Sequence, residues 1–374
     1  MIPSTTAAAL EGAFAAVCGA VLGVMVARAV EWLTRLETGG QRTWAPVPTW
    51  RALAVGAAIG AGVWWWEVVA RGQLAVVDDT SPRGDRLLLL RLGTHMILIA
   101  LLATASWIDI RLRVIPDAIT IPGVLGGMVA AWAVPGHLLP VVVEVPRTFT
   151  VPALVPDVLG AVGGLGTSPL PPWCAARPAW SGLVVMLAVV AAWWWICTPA
   201  GYGPRLERWR RLCGAGLALL MVAAWWWGGW RHAALMASLA GIGAGGTLVW
   251  ATRAGASAAM GREAMGLGDV TLMAMVGAWL GWQAAVLTFF LGVFLGVAVA
   301  TLWHAAARDQ EMPFGPCLAA GATAVIVGWR PLWRLVAPWF ERPAEMVVVL
   351  LTVVVLTGLT LAAVQRWRGG IPDG

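Results

Sequence analysis

The chain has 374 residues, of which 60% are hydrophobic and only 12% are charged. Soluble domains contain about half apolar and about a quarter charged residues, so this composition predicts an integral membrane protein and excludes an ordinary soluble one. All 25 basic residues are arginines, and the net charge is +6. Because the arginines are scattered over short loops, we interpret them as determinants of membrane orientation, and we predict no nucleic-acid binding.

The apolar runs of the chain predict membrane-spanning helices, each of which needs roughly 20 residues. The fold class is therefore predicted to be all-α, a polytopic transmembrane helix bundle of about 9–11 spans, in a single integral membrane domain covering residues 1–374. A Pro- and Gly-rich segment, 135–180, is predicted to be a long loop without a core of its own. The candidate spans are 7–27, 52–70, 87–107, 118–134, 181–197, 213–230, 232–252, 270–283, 284–304, 314–330 and 344–364.

The distribution of arginine predicts which loops face the cytoplasm. Three arginine-bearing loops, 28–51, 198–213 and 253–269, fall on one side of the predicted spans. The positive-inside rule assigns this side to the cytoplasm, although the arginines of the loop 330–343 oppose that assignment. In this topology Asp109 and Asp269 both lie at cytoplasmic ends of their spans.

His95 lies near the middle of the third predicted span. Ionisable groups inside a membrane often relay protons, which is one possible role for this histidine. It precedes Asp109 by 14 residues, which is roughly 21 Å along a helix, so the two residues cannot share a site. An interhelical hydrogen bond is the role we favour for His95.

Asp109 ends the apolar run that contains His95 and is followed by Arg111 and Arg113. It is either an interfacial acid paired with an arginine or a functional carboxylate. Asp117 is a rival, eight residues further on. Because Pro116 disfavours helical backbone at Ile115, we interpret Asp117 as an N-cap or first-turn residue of the next span.

The sequence Gly266-Leu267-Gly268-Asp269 stands where a polar loop meets the apolar run that begins at Val270. An acid at a membrane boundary is costly, which indicates a function. The two glycines allow the backbone to bend freely and another chain to approach closely. The alternative is that Asp269 is merely the N-cap of the following helix.

Two carboxylates at one membrane face predict acid–base hydrolysis of a peptide bond. One acts as base on a water molecule while the other protonates the carbonyl oxygen, so neither a metal nor a serine nucleophile is needed. The sequence lacks His-Glu-X-X-His and Gly-X-Ser-X-Gly, and its five cysteines form no Cys-X-X-Cys pair. We therefore predict no metal site, no cofactor and no disulfide framework.

Three segments resemble the ordered motifs of the type IV prepilin peptidases, a family of polytopic Gly-X-Gly-Asp aspartic proteases. The matching sequences are Ser106–Arg111 with Ile115–Thr120, Glu263–Val270 with Gly277–Trp282, and Met312–Cys317, within 86–130 and 234–325. The resemblance implies that Asp109 and Asp269 are the catalytic pair. It also implies substrate binding by Gly266, Gly268, Pro313, Phe314 and Gly315.

Members of this family remove the leader peptide of prepilins and pseudopilins at the cytoplasmic face of the bacterial inner membrane. The resemblance implies the same localisation and substrates here. Many members also N-methylate the new terminus and carry two Cys-X-X-Cys pairs after the first span. The loop 28–51 has no cysteine, so we do not expect N-methyltransferase activity. Alternatives are an intramembrane aspartic protease with another substrate, or a non-catalytic scaffold or transporter.

Overall fold

The computed structural model describes residues 5–40, 46–70, 72, 82–134, 137–139, 180–197, 204–227, 229–261, 263, 265–305, 313–340, 348 and 352. Within these ranges the secondary structure is helical, with no strand, which confirms the predicted all-α class. A π-helical turn, Trp65–Val69, continues the second helix. The α-helices are α1 Thr5–Glu37, α2 Thr49–Trp64, α3 Pro82–Leu112, α4 Asp117–Ala133, α5 Trp180–Cys197, α6 Pro204–Trp227, α7 Gly229–Met260, α8 Leu267–Leu280, α9 Trp282–Ala305 and α10 Gly315–Phe340.

Five of the described segments are long and apolar enough to cross a membrane. They are Ala8–Glu37, Thr49–Val69, Leu88–Leu112, Ala234–Ala258 and Trp282–Leu302, and α4, α8 and part of α6 are shorter apolar helices. The chain is therefore a multi-pass membrane protein. The predicted span 344–364 and nearly all of the predicted loop 135–180 lie outside the described residues.

Small residues let α1 and α2 approach each other closely. A Cβ atom at Gly19 would lie 2.2 Å from the carbonyl oxygen of Gly56, and one at Gly60 would lie 2.4 Å from that of Ala15. Membrane helices associate through such small-residue stripes because apolar side chains gain nothing by leaving lipid for a neighbouring helix. The two helices therefore form a tight hairpin against α3.

Helix α8 is the central element of the bundle, and every residue from Asp269 to Leu280 is buried. Its 14 residues extend only about 21 Å, which is less than the roughly 30 Å of a hydrocarbon core. The helix ends at Gly281, whose φ of +89° lies in the left-handed region that favours glycine. Gly281 thus separates α8 from α9, close to the boundary between the predicted spans 270–283 and 284–304.

Glycines on α7 and α8 bring these helices into backbone contact. A Cβ atom at Gly241 would lie 2.0 Å from the carbonyl oxygen of Gly277, and the converse distance is also 2.0 Å. Ser238 Oγ donates a hydrogen bond to the carbonyl oxygen of Ala278, 2.8 Å away, one helical turn from this crossing. Helix α7 therefore sets the position of the helix that carries Asp269.

The close crossing at Gly241 predicts that a glycine-to-alanine substitution has different effects at two positions of α7. Gly241→Ala should lower the Tm strongly, because the added methyl group meets backbone and no rotamer change relieves the overlap. Gly243→Ala meets no atom within 4 Å and should leave the Tm unchanged or raise it slightly, since alanine favours helix. Thermal unfolding of both purified variants in detergent tests this, and equal Tm values for the two would contradict the crossing.

Candidate active site

A cavity of about 360 Å³ lies where the three predicted motifs meet. It is bordered by the end of α3 and the loop after it, by the start of α8, and by the turn before α10. The lining residues are Asp109, Arg113, Val114, Ile115, Met265, Gly266, Leu267, Gly268, Asp269, Pro313 and Phe314. The cavity thus brings together both predicted catalytic aspartates and four of the five predicted substrate-binding residues. Gly315 follows immediately after Phe314.

Asp109 lies in the last turn of α3 and is only 6% exposed. Its Oδ2 accepts a hydrogen bond of 3.1 Å from the backbone N–H of Gly315. A Cβ atom at residue 315 would stand 2.6 Å from the same oxygen. Glycine is therefore the residue that allows the start of α10 to approach this carboxylate and hold it by a backbone amide.

Arg113 ends α3 in an unusual backbone conformation beside the cavity. Its φ is +56°, and its N–H donates to the carbonyl oxygen of Asp109 at 2.8 Å. Residues other than glycine adopt this left-handed region infrequently, and such conformations concentrate at functional sites. The positive charge of Arg113 acts on Asp109, so the cavity contains a cation as well as two acids.

Asp269 is the third residue of α8 and is 8% exposed. The N-cap of this helix is Gly266, and no side chain caps it, so the alternative of Asp269 as an N-cap is wrong. The helix begins earlier than the predicted span at 270–283 because Leu267 and Gly268 already have helical backbone. Asp109 and Asp269 line the same cavity, and the charge of Asp109 acts on Asp269 there.

The two glycines before Asp269 differ in their surroundings. A Cβ atom at Gly268 would lie 2.8 Å from Cβ of Ile115, so this glycine lets α8 pack against the loop after α3. At Gly266 the nearest atom to such a Cβ is 3.8 Å away and belongs to Gly268. Gly266 is exposed and leaves the cavity open. Substrate binding by either residue stays a prediction.

Arg253 of α7 fixes the loop that precedes α8. Its Nε donates a hydrogen bond of 2.7 Å to the carbonyl oxygen of Met265, and its guanidinium pairs with the carboxylate of Glu263. Met265 and Gly266 form one wall of the cavity. From the sequence, Arg253 was interpreted only as one of the arginines that determine membrane orientation. A hydrogen bond from a side chain to a backbone carbonyl leaves no recognisable sequence pattern.

The structure also decides the interpretation of Asp117 and His95. Helix α4 begins at Asp117, but its N-cap is Pro116, so Asp117 is a first-turn residue and the N-cap interpretation is wrong. Pro116 has an extended backbone with ψ 132°, which ends the loop before the helix starts. Asp117 does not line the cavity.

His95 forms the predicted interhelical hydrogen bond, 2.7 Å to Glu67.

Two buried acids and a cation line this cavity of the multi-pass helix bundle, which makes it the candidate active site. Residues 209–301 match the type IV leader peptidase family. This segment includes Asp269, whereas Asp109 and the turn before α10 lie outside it. The resemblance to the type IV prepilin peptidases is therefore confirmed.

Several curated relatives carry the name prepilin leader peptidase/N-methyltransferase. The protein of Burkholderia pseudomallei strain 1026b is 36% identical over 106 residues, which are 28% of this chain and 34% of the relative. The protein of Pseudomonas putida is 46% identical over 72 residues, 18% of this chain and 25% of the relative. The protein of Neisseria gonorrhoeae is 30% identical over 111 residues, which are 30% of this chain and 38% of the relative.

These matches cover only part of each protein. The chain spans about a third of the length of the first of the curated relatives it matches. No solved structure matches the chain. Similarity over these limited segments shows which family the chain resembles. The activity and substrate of the chain therefore depend on the chemistry of the site itself.

Proposed function

We propose that this protein is an aspartic endopeptidase that removes the leader peptide of type IV prepilins or pseudopilins. The observation that carries the proposal is the cavity into which Asp109 and Asp269 both open, built from three segments far apart in sequence. Similarity to relatives named prepilin leader peptidase supports the choice of substrate. Their names include N-methyltransferase, but we extend only the peptidase reaction to this chain, because the cysteine pairs are missing from 28–51.

The two aspartates supply the acid and the base of amide hydrolysis. The hydrogen bond from Gly315 N–H to Asp109 Oδ2 favours the ionised form of Asp109, which therefore acts as base on a water molecule. Asp269, close to that negative charge, carries the proton and donates it to the carbonyl oxygen. The water oxygen bonds to the carbonyl carbon, and Asp109 then passes the proton it accepted to the leaving nitrogen. The C–N bond breaks, and the proton on the former carbonyl oxygen returns to Asp269.

The site lies at the end of the bundle that arginine distribution assigns to the cytoplasm. We propose that the protein resides in the bacterial inner membrane, where the leader of a substrate enters this cavity from the cytoplasm. The apolar helix of the prepilin then remains in the bilayer beside the enzyme. In this arrangement Gly266 and Gly268 face the cleaved strand from one side, and Pro313, Phe314 and Gly315 from the other.

Co-expression of the full chain with several prepilins and pseudopilins tests this function. A size shift of the substrate, with a new N-terminus at one position, is expected from the wild-type protein. Cleavage of an unrelated membrane protein alone would indicate an intramembrane aspartic protease with another substrate. No cleavage of any substrate by correctly inserted protein would overturn the enzymatic proposal in favour of a scaffold or transporter.

A further inference from the structure

A buried polar cluster occupies the half of the bundle opposite the aspartates. It comprises Glu67 in the π-helical turn, Arg91 and His95 on α3, and the backbone carbonyls of His137 and Leu138. The three ionisable side chains are 2%, 0% and 0% exposed, respectively. Charged groups are costly inside a membrane and mark functional positions there. The proposed peptidase mechanism uses none of these three side chains, so the energetic cost of burying them indicates a different role.

Both ring nitrogens of His95 face oxygen acceptors. Nδ1 lies 2.7 Å from Oε1 of Glu67, and Nε2 lies 3.1 Å from the carbonyl oxygen of His137. The Nε2–H donates to the carbonyl, so the contact with Glu67 requires a second proton on one of the two side chains. The pair is either imidazolium with carboxylate or imidazole with carboxylic acid, and in both forms the hydrogen bond is directional and short.

The segment 137–139 connects this cluster to α8. Arg91 donates a hydrogen bond of 3.4 Å to the carbonyl oxygen of Leu138, next to the carbonyl that binds His95. The following N–H, that of Leu139, donates at 2.9 Å to the carbonyl oxygen of Leu280, the last residue of α8. A continuous series of hydrogen bonds therefore links the π-helical turn after α2 with α3 and α8 at the ends remote from the aspartates.

The linked helices are the two that carry the catalytic carboxylates. His95 precedes Asp109 on α3 by about 21 Å, and Leu280 follows Asp269 on α8 by about 17 Å. Apolar contacts alone allow two helices to slide or rotate against each other, whereas buried directional hydrogen bonds select one arrangement at a cost in stability. Rigid helices transmit that arrangement along their length.

We propose that Glu67 and His95 are positioning residues that fix α3 relative to α8 and thereby hold Asp109 opposite Asp269. The inference rests on the proposed peptidase function for its kinetic consequence, but the geometric consequence can be measured without it. Substrate contacts at the cavity are far from this cluster. Its loss should therefore impair the alignment of the carboxylates and leave substrate affinity largely unchanged.

Kinetics of the purified full chain on a prepilin peptide test the proposal. His95→Ala and Glu67→Ala should each lower kcat about 10- to 100-fold, with KM unchanged within about twofold, because small displacements of reacting groups are costly. The double variant should match His95→Ala, because that substitution already removes the contact with Glu67 together with the one to the His137 carbonyl. Glu67→Gln can still hydrogen-bond Nδ1 of His95, through its amide N–H if the imidazole is neutral or through its oxygen if it is protonated, and should restore most of kcat. His95→Gln, which retains one donor, replaces His95→Ala if that variant does not fold.

His232 provides the matched control, because it is a 1% exposed histidine on α7 outside this cluster. His232→Ala should not change kcat per folded molecule. If the cluster variants only lower the Tm, with kcat per folded molecule unchanged, the positioning role is wrong. The same holds if His232→Ala lowers kcat as much as His95→Ala does.

Hydrogen exchange at the Gly315 amide gives a readout independent of cleavage, since this N–H is bonded to Asp109. Its exchange should be faster in His95→Ala and Glu67→Ala than in wild type, and unchanged in His232→Ala. If wild type cleaves no prepilin, the proposed function fails while this measurement still decides the positioning role. Equal exchange in all four proteins would overturn the inference.

Discussion

Replacement of Asp109 or Asp269 by Asn should lower kcat for prepilin cleavage by about 10²–10⁴-fold, the usual contribution of a general acid or base. Asparagine has the shape of aspartate but neither accepts a proton from water nor donates one to a carbonyl oxygen. Both side chains are nearly buried, and the substitution removes the capacity for proton transfer with almost no change in volume. Cleavage kinetics of the purified variants, with membrane insertion checked in parallel, measure the effect.

Asp117→Asn is the matched control for this experiment. Asp117 is an acid at the start of α4 in the same predicted motif as Asp109, but it is exposed and lies outside the cavity. Its substitution should leave kcat within about threefold of wild type, as expected for a group that takes no part in proton transfer. An active Asp269→Asn variant, or a strong loss in Asp117→Asn with the Asp109→Asn variant active, would contradict the assignment of the pair.

The Asn variants also separate chemistry from geometry. In the Asp109→Asn variant, the oxygen of the new side-chain amide can accept the hydrogen bond from Gly315 N–H as the carboxylate does. Exchange protection of that backbone N–H should therefore persist in Asp109→Asn while cleavage is lost. In Glu67→Ala and His95→Ala, by contrast, the Gly315 amide should lose its exchange protection, and cleavage should slow because Asp109 is displaced.

The two aspartates of the candidate site could be predicted from the sequence, but the hydrogen bonds and charges around them could not. Asp109 and Asp269 were predictable because an acid at the edge of an apolar run is rare and costly. The amide of Gly315 was not, because a backbone donor leaves no mark in the sequence beyond the glycine itself. Arg113 was predicted only as an orienting charge or a surface partner, since its left-handed backbone depends on how α3 ends.

The helical fold followed from composition, but burial within the bundle did not. Helix α8 is apolar on all sides and therefore gives no amphipathic pattern that would distinguish a lipid-facing helix from a central one. Its central place depends on Gly241 and Gly277, which allow α7 to approach closely. The same limitation applies to Glu67, which the sequence did not connect with His95 because the two residues lie on different helices, 28 positions apart.

Gly315→Ala should reduce kcat by about 10²-fold, the cost associated with a displacement of about 1 Å at a reacting group. The added Cβ atom would stand 2.6 Å from Oδ2 of Asp109, whereas ordinary contacts begin at 3.4 Å. The carboxylate or the start of α10 must therefore move by most of an ångström. Either movement lengthens the hydrogen bond that holds Asp109, so both kcat and the protection of this amide should fall.

Gly328→Ala on the same helix is the matched control, because its Cβ atom would meet only Leu332 at 3.4 Å. This variant should keep wild-type kcat. Both substitutions exchange glycine for alanine in α10, so a general effect on helix stability would change the Tm of both proteins and the kcat of neither. If Gly315→Ala retained full activity with normal amide protection, the close approach of α10 to Asp109 would not be required, and the carboxylate would have to be held by other groups.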